Sequence, residues 1–131
     1  MPYLLDSDWV IQALGGRSPA VTELRRLVPA QVSISLVTIG EVYEGAFDSP
    51  NPRAHLRAFG RFWQYYRVLT LTDPIMEQFA KLRALLRRRG EIIPDFDLLL
   101  AATALQYDLT MLTFNLRHFQ RIPDLKLYRP G

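Results

Sequence analysis

Cysteine is absent from the chain, so neither a disulfide framework nor a thiolate metal site is open to it. That absence fits a reducing cytosol. Lysine is nearly absent as well. Of 16 basic residues, only Lys81 and Lys126 are not arginine. Lys81 falls in mid-helix and Lys126 in the tail. A reaction that needs a lysine after a strand end to hold a transferred phosphoryl group therefore has none to use. Histidine is limited to His55 and His118, too far apart in sequence to suggest a metal pair, and each reads as a surface residue. Long apolar runs are missing too. Leu98 to Leu105 is the longest, Thr103 interrupts it, and it is far too short to span a bilayer. No basic-then-apolar leader precedes Tyr3-Leu4-Leu5, which argues against a signal peptide and for a cytoplasmic protein.

What is present suits one compact domain over residues 1–131. Apolar residues make up 49% of the chain, enough for a core. The formal charge is +3 and the pI about 9.5. Arginine offers a planar fork that matches phosphate oxygens in pairs. A mild basic excess is by itself only weak support for a nucleic-acid partner.

Extended and helical patterns alternate, which predicts an α/β fold around a mostly parallel sheet. Strands are expected at Tyr3–Leu5, Val32–Ile34, Val68–Leu71 and Met111–Thr113, with Lys126–Tyr128 as a fifth. A short helix is expected from Trp9 to Leu14, broken by Gly15-Gly16. Ser18-Pro19 reads as a cap and a first helical proline, opening a helix to about Val28. Ser35 is expected to cap a helix ending near Phe47. Asn51-Pro52 opens another, to about Tyr66. Asp73-Pro74 repeats the cap-then-proline signal, and Gly90 stops the helix that follows. The last long helix, Phe96 to Tyr107, is apolar almost all round and should be buried.

In an open parallel sheet, ligands bind beyond the carboxyl ends of the strands. Asp6 stands at such an end. Ser35, Thr38 and Glu41 recur every three residues along the helix after the second strand. Asp95 and Asp97 begin the buried helix, and Asn115 follows the fourth strand. Four segments thus bring oxygen ligands toward one edge. Carboxylates gathered without a lysine repel one another unless a hard divalent cation sits among them. Taken singly, these residues have ordinary readings. Asp95 is a helix cap, Asp97 a carboxylate favoured by the helix dipole, Glu41 a solvated helix residue, Asn115 a turn residue. Joint placement favours the metal reading.

The ordered motifs resemble a known family. Leu4-Leu5-Asp6-Ser7 looks like the opening of a PIN domain. Ser35-Leu36-Val37-Thr38-Ile39-Gly40-Glu41 resembles its second motif. Asp97-Leu98-Leu99-Leu100-Ala101-Ala102-Thr103-Ala104 resembles the third. Thr113-Phe114-Asn115-Leu116-Arg117-His118-Phe119, with Arg121-Ile122-Pro123, is similar to the C-terminal signature. The match runs nearly end to end and is nearest to VapC-type toxins. The resemblance implies a PIN-domain fold and an endoribonuclease dependent on Mg²⁺ or Mn²⁺. By motif position, Asp6, Glu41 and Asp97 would hold the metal and position the attacking water. Asn115 falls where many members carry a fourth acid, and His118 at a nearby position that is often acidic. Asp95 lies outside the matched triad. The resemblance also implies a cytoplasmic homodimer held inactive by a small antitoxin.

Arg53, Arg57 and Arg61 recur at i, i+4 and i+8 on one helix, and Arg83 with Arg87-Arg88-Arg89 forms a second group. With Thr38 and Thr113 they are candidate contacts to RNA or to a partner, although a solvated helix face explains any one arginine as well. Phe59, Phe62, Trp63 and Tyr66 share the first helix, facing the core, a second copy or a partner's helix. Two other functions compete. Asp6-Ser7-Asp8 superficially resembles the opening of aspartyl-nucleophile phosphatases, but the downstream lysine is missing. A non-catalytic RNA- or protein-binding module gives no reason to gather acids where a phosphate must come. A PIN nuclease of RNA processing, without an antitoxin, is the nearer alternative.

Overall fold

The structure, a computed structural model, describes residues 2–129. Five short strands form one all-parallel sheet in the order β3-β2-β1-β4-β5. They are β1 (Tyr3–Leu5), β2 (Val32–Ser35), β3 (Arg67–Leu69), β4 (Thr110–Leu112) and β5 (Lys126–Leu127). Seven helices flank them: α1 (Ser7–Leu14), α2 (Ala20–Arg26), α3 (Leu36–Phe47), α4 (Pro52–Trp63), α5 (Asp73–Arg88), α6 (Asp95–Tyr107) and α7 (Leu116–Phe119).

The central strands β1, β2 and β4 are largely buried, with helices over both faces, while the edge strands β3 and β5 stay partly exposed. Alternation along each strand decides which helices meet which side chains. Leu4 and Met111 point into a core built with α5, α6 and α7, including Ile75, Leu86, Leu100 and Phe119. Leu5, Ile34 and Leu112 point the other way, onto Trp9, Val10, Ala20 and Phe59 of α1, α2 and α4. α6 is buried at Leu98 and at every residue from Leu100 to Ala104, as its all-round apolarity predicts.

Two of the three expected cap-then-proline signals turn out differently. Asn51 does cap α4, accepting from the Ala54 amide. Ser18, however, spends its hydroxyl on Thr22, and α2 begins at Ala20, whose amide is met by the Gln12 side chain from α1. Asp73 is the first residue of α5 rather than its cap, which is Thr72. Helix ends also come earlier than expected: α2 stops at Arg26 and α4 at Trp63. β3 and β4 each begin one residue sooner than their apolar pattern suggests, because the ladder starts at Arg67 and Thr110. Gly90 ends the α5 segment at φ +69, a conformation that disfavours any side chain.

Chain order puts the topological switch between β1 and β4. The connection after β1 runs to one side of the sheet and the one after β4 to the other, so their carboxyl ends flank a crevice. Asp6 and Thr113 are the first residues past those two ends.

Candidate metal centre

Asp6 is held at the switch point by the backbone. Its amide donates to the Leu112 carbonyl at 3.0 Å, prolonging the β1–β4 ladder by one bond. Its side chain caps α1, accepting from the Ser7 amide at 2.7 Å. The other carboxylate oxygen accepts from the Thr113 hydroxyl at 2.7 Å. That hydroxyl in turn accepts from the Asn115 amide at 3.0 Å and has Asp8 as a second, longer acceptor at 3.4 Å.

Glu41 reaches the same crevice from α3. Ser35 caps that helix by accepting from the Val37 amide at 3.0 Å. Thr38, one turn before Glu41, donates to the carbonyl of Leu5 at 3.2 Å. The two bonds lock the first turn of α3 against the end of β1. Asp97 comes from the first turn of α6, where the helix dipole favours a carboxylate.

Burial and mutual charge act on these groups together. Burial pushes the Asp6 carboxyl up from 3.8 to about 7, and the charges of Asp8 and Asp97 push the same way. Asp8 is raised by burial as well. Glu41 is raised by burial first, then by the charge of Asp97, with Ser7 opposing. Among the described residues, no Arg or Lys forms a salt bridge with Asp6, Asp8, Glu41 or Asp97. One oxygen of Asp8 and one of Glu41 are buried without a hydrogen-bond partner. Buried, mutually repelling oxygens with unused lone pairs are costly unless a cation meets them.

Sequence reasoning singled out Asp6, Glu41 and Asp97 but not Asp8. Asp8 lies in the first turn of α1, two residues past the strand-end acid, and its carboxylate accepts from the Phe114 amide at 3.0 Å. That Asp-x-Asp spacing was the available signal. His118 is the other omission. Far from being a free surface residue, it is half-buried, with Nδ1 at 3.0 Å from Asp97 and 2.8 Å from the Asn115 side chain. Asp97 can only accept, so a hydrogen on Nδ1 points to it, whereas the Asn115 amide nitrogen can donate to Nδ1 only when that nitrogen carries no hydrogen. Asp95 is exposed and tied to Arg83 at 2.8 Å, away from these contacts.

Thr38 and Thr113 are corrected. Both were expected among residues touching RNA or a partner, yet both are buried and their hydroxyls are used inside the fold. Arg53, Arg57 and Arg61 are exposed along α4, and no salt bridge engages them among the described residues. Thr113→Val removes a donor to a buried carboxylate and an acceptor for the Asn115 amide. It should cost about 1–3 kcal/mol of stability, read from the urea midpoint, while Thr113→Ser stays near the parent.

Known proteins resemble this chain in sequence and in overall fold. The PIN-domain family model matches residues 3–125. The chain belongs to the PIN-domain family. This PIN domain is 30% identical over 128 residues to Ribonuclease VapC1 of Haemophilus influenzae, covering 96% of each chain. It is 27% identical to the tRNA(fMet)-specific endonuclease VapC of Salmonella typhimurium, covering 97% of this chain and 96% of that one. Among solved structures it is similar to a chain of the DNA-bound VapBC from Salmonella typhimurium. That match has a TM-score of 0.90 and 26% identity, and covers 98% of this chain and 97% of the other. No helix of the described residues is long and apolar enough to cross a membrane.

Proposed function

We propose that this PIN domain is a metal-dependent endoribonuclease and the toxin of a toxin–antitoxin pair. The observation that carries the reading is the acidic cluster at the β1–β4 crevice, which no Arg or Lys salt bridge engages among the described residues, in a chain whose relatives are named VapC ribonucleases.

Asp6, Asp97 and Glu41 would hold the ion, with Asp8 as a fourth acid within the same group. Mg²⁺ keeps several waters and takes one or two carboxylates plus substrate phosphate, so it does not need all of these acids as direct ligands. When bound, such an ion lowers the pKa of a water and offsets charge on the phosphodiester. The protein's own part is positional. Thr113 and the Ser7 amide fix the rotamer of Asp6, and the Thr38 bond fixes the turn from which Glu41 projects. His118 acts through Asp97, whose carboxylate it meets at 3.0 Å, and Asn115 touches the same ring nitrogen. Attack by a metal-activated water, with no role for the ribose 2′-OH, would leave a 5′-phosphate and a 3′-hydroxyl.

Incubation of total RNA with the purified chain, with Mg²⁺ or with EDTA, followed by mapping of the cut ends, tests the reading. Full-rate cleavage in EDTA, or ends carrying 2′,3′-cyclic phosphate, would overturn it.

RNA approaches over α4 in this proposal. Arg57→Ala should weaken RNA binding and flatten the plot of log affinity against log salt by roughly 0.7 for one lost single-strand contact. Its rate at saturating RNA should stay close to the parent's. Regulation follows from the same charge pattern. A small antitoxin that presents Arg or Lys to Asp6 and Asp97 would cover the acids and block substrate, with the toxin acting as a cytoplasmic homodimer. A purified chain that stays monomeric, with no antitoxin encoded beside it, would point to RNA processing instead.

A further inference from the structure

Beside the acidic cluster stands an aromatic ring that the cleavage chemistry does not use. Phe114 is exposed, although it directly follows the buried Thr113. Its ring stacks on the buried Trp9, with centroids 5.2 Å apart and planes 20° from parallel. Trp9 is braced in turn by Tyr128, edge-on at 5.8 Å. The Phe114 backbone is pinned as well, its amide donating to Asp8 at 3.0 Å. An exposed phenyl group is ordinarily a mobile liability. This one is stacked on a fixed platform while 39% of the residue stays open to solvent, and its backbone is bonded to a carboxylate of the cluster.

We propose that Phe114 is a stacking platform for an unpaired nucleobase adjoining the scissile phosphate. The proposal rests on the ribonuclease reading above. Every base has a π face, so a ring of this kind grips single-stranded or looped RNA without demanding a sequence. Because Trp9 and the Asp8 bond already hold the ring, little rotamer freedom remains to be lost on binding. A duplex, whose bases are stacked on one another, offers no free face to it. The platform therefore selects unpaired RNA at the cut site, while the arginines of α4 act on charge alone.

The test uses the full chain in Mg²⁺ with a single-stranded oligoribonucleotide of mixed sequence. Phe114→Leu keeps apolar bulk over Trp9 but has no π face. It is expected to raise KM by roughly tenfold with kcat little changed, and Phe114→Tyr is expected to restore KM. A direct reading comes from Phe114→Trp in the Asp6→Asn background, which cuts RNA at least about 10²-fold more slowly and so leaves it largely intact during the titration. Its added tryptophan emission should be quenched by the oligonucleotide and not by inorganic polyphosphate, which carries charge without bases. A folded Phe114→Leu chain with the parent's KM, or a Phe114→Trp emission that RNA leaves unchanged, overturns the platform while the ribonuclease reading stands. A parent chain that neither binds nor cleaves RNA fails one step earlier, at the ribonuclease reading, and takes the platform with it.

Discussion

Asp6→Asn is expected to slow RNA cleavage by at least 10²- to 10³-fold at saturating Mg²⁺, the loss typical of removing one group that stabilises transition-state charge. The fold should survive, because an amide can serve both bonds that hold the carboxylate. Its oxygen still accepts from the Ser7 amide, and its nitrogen can donate to the Thr113 oxygen. What is lost is a full negative charge at the one acid shared by β1, α1 and β4. The loss should appear in kcat, with RNA affinity nearly unchanged, since the arginines of α4 are untouched. Circular dichroism matching the parent, together with single-turnover cleavage, makes the measurement. A variant that cuts RNA within tenfold of the parent's rate would remove Asp6 from the metal centre.

The sequence announces the frame of this site because its signals are local. A short apolar run ending in an acid marks β1 and Asp6, and Ser35 before a helical pattern marks the start of α3. An apolar helix with acids in its first turn marks α6. Each depends on neighbours within four residues, and each is found where expected. The departures come from tertiary partners. Gln12 of α1 supplies the bond that Ser18 was expected to give, because the turn between α1 and α2 brings an amide side chain closer than the local hydroxyl. Thr113 and Thr38 turn inward because Asp6 and the Leu5 carbonyl need donors that only other segments can bring.

Asp8 and His118 were hidden for a related reason. Asp8 looks like an ordinary first-turn acid of α1 until β4 delivers the Phe114 amide to it across more than a hundred residues. His118 looks solvated until the four-residue helix α7 turns its ring toward Asp97. So short a helix has no periodicity to betray it. For Asp8 the neighbour lies across the switch point, where chain order and spatial order part, and for His118 it lies across β4, on the helix that precedes that strand.

The same crowding predicts a measurable penalty in the metal-free protein. Asp6 titrates near 7 in the fold and near 3.8 without it, so between those values the folded chain keeps a proton that the unfolded chain has released. Stability then falls as pH rises through that window, and levels off once the folded carboxyl also ionises. Below about pH 4 both states are protonated and the term vanishes. The shift corresponds to about 4 kcal/mol as an upper bound, reduced by any water that reaches the crevice. Asp8 and Glu41, raised for the same reason, add in the same direction. Asp6→Asn, inactive as a nuclease, should therefore be the more stable protein in EDTA at pH 8, with the advantage shrinking toward pH 4. Taking the difference between parent and variant removes the titrations the two share. Mg²⁺ should reverse the ranking at pH 8, since an ion that binds only the folded parent stabilises it by mass action and displaces the proton that burial retains. Urea unfolding of both chains across this pH range, with and without Mg²⁺, is the measurement. A parent that equals or exceeds the variant at pH 8 in EDTA would mean that the carboxylates are not under strain, and that the crevice is not built around a missing charge.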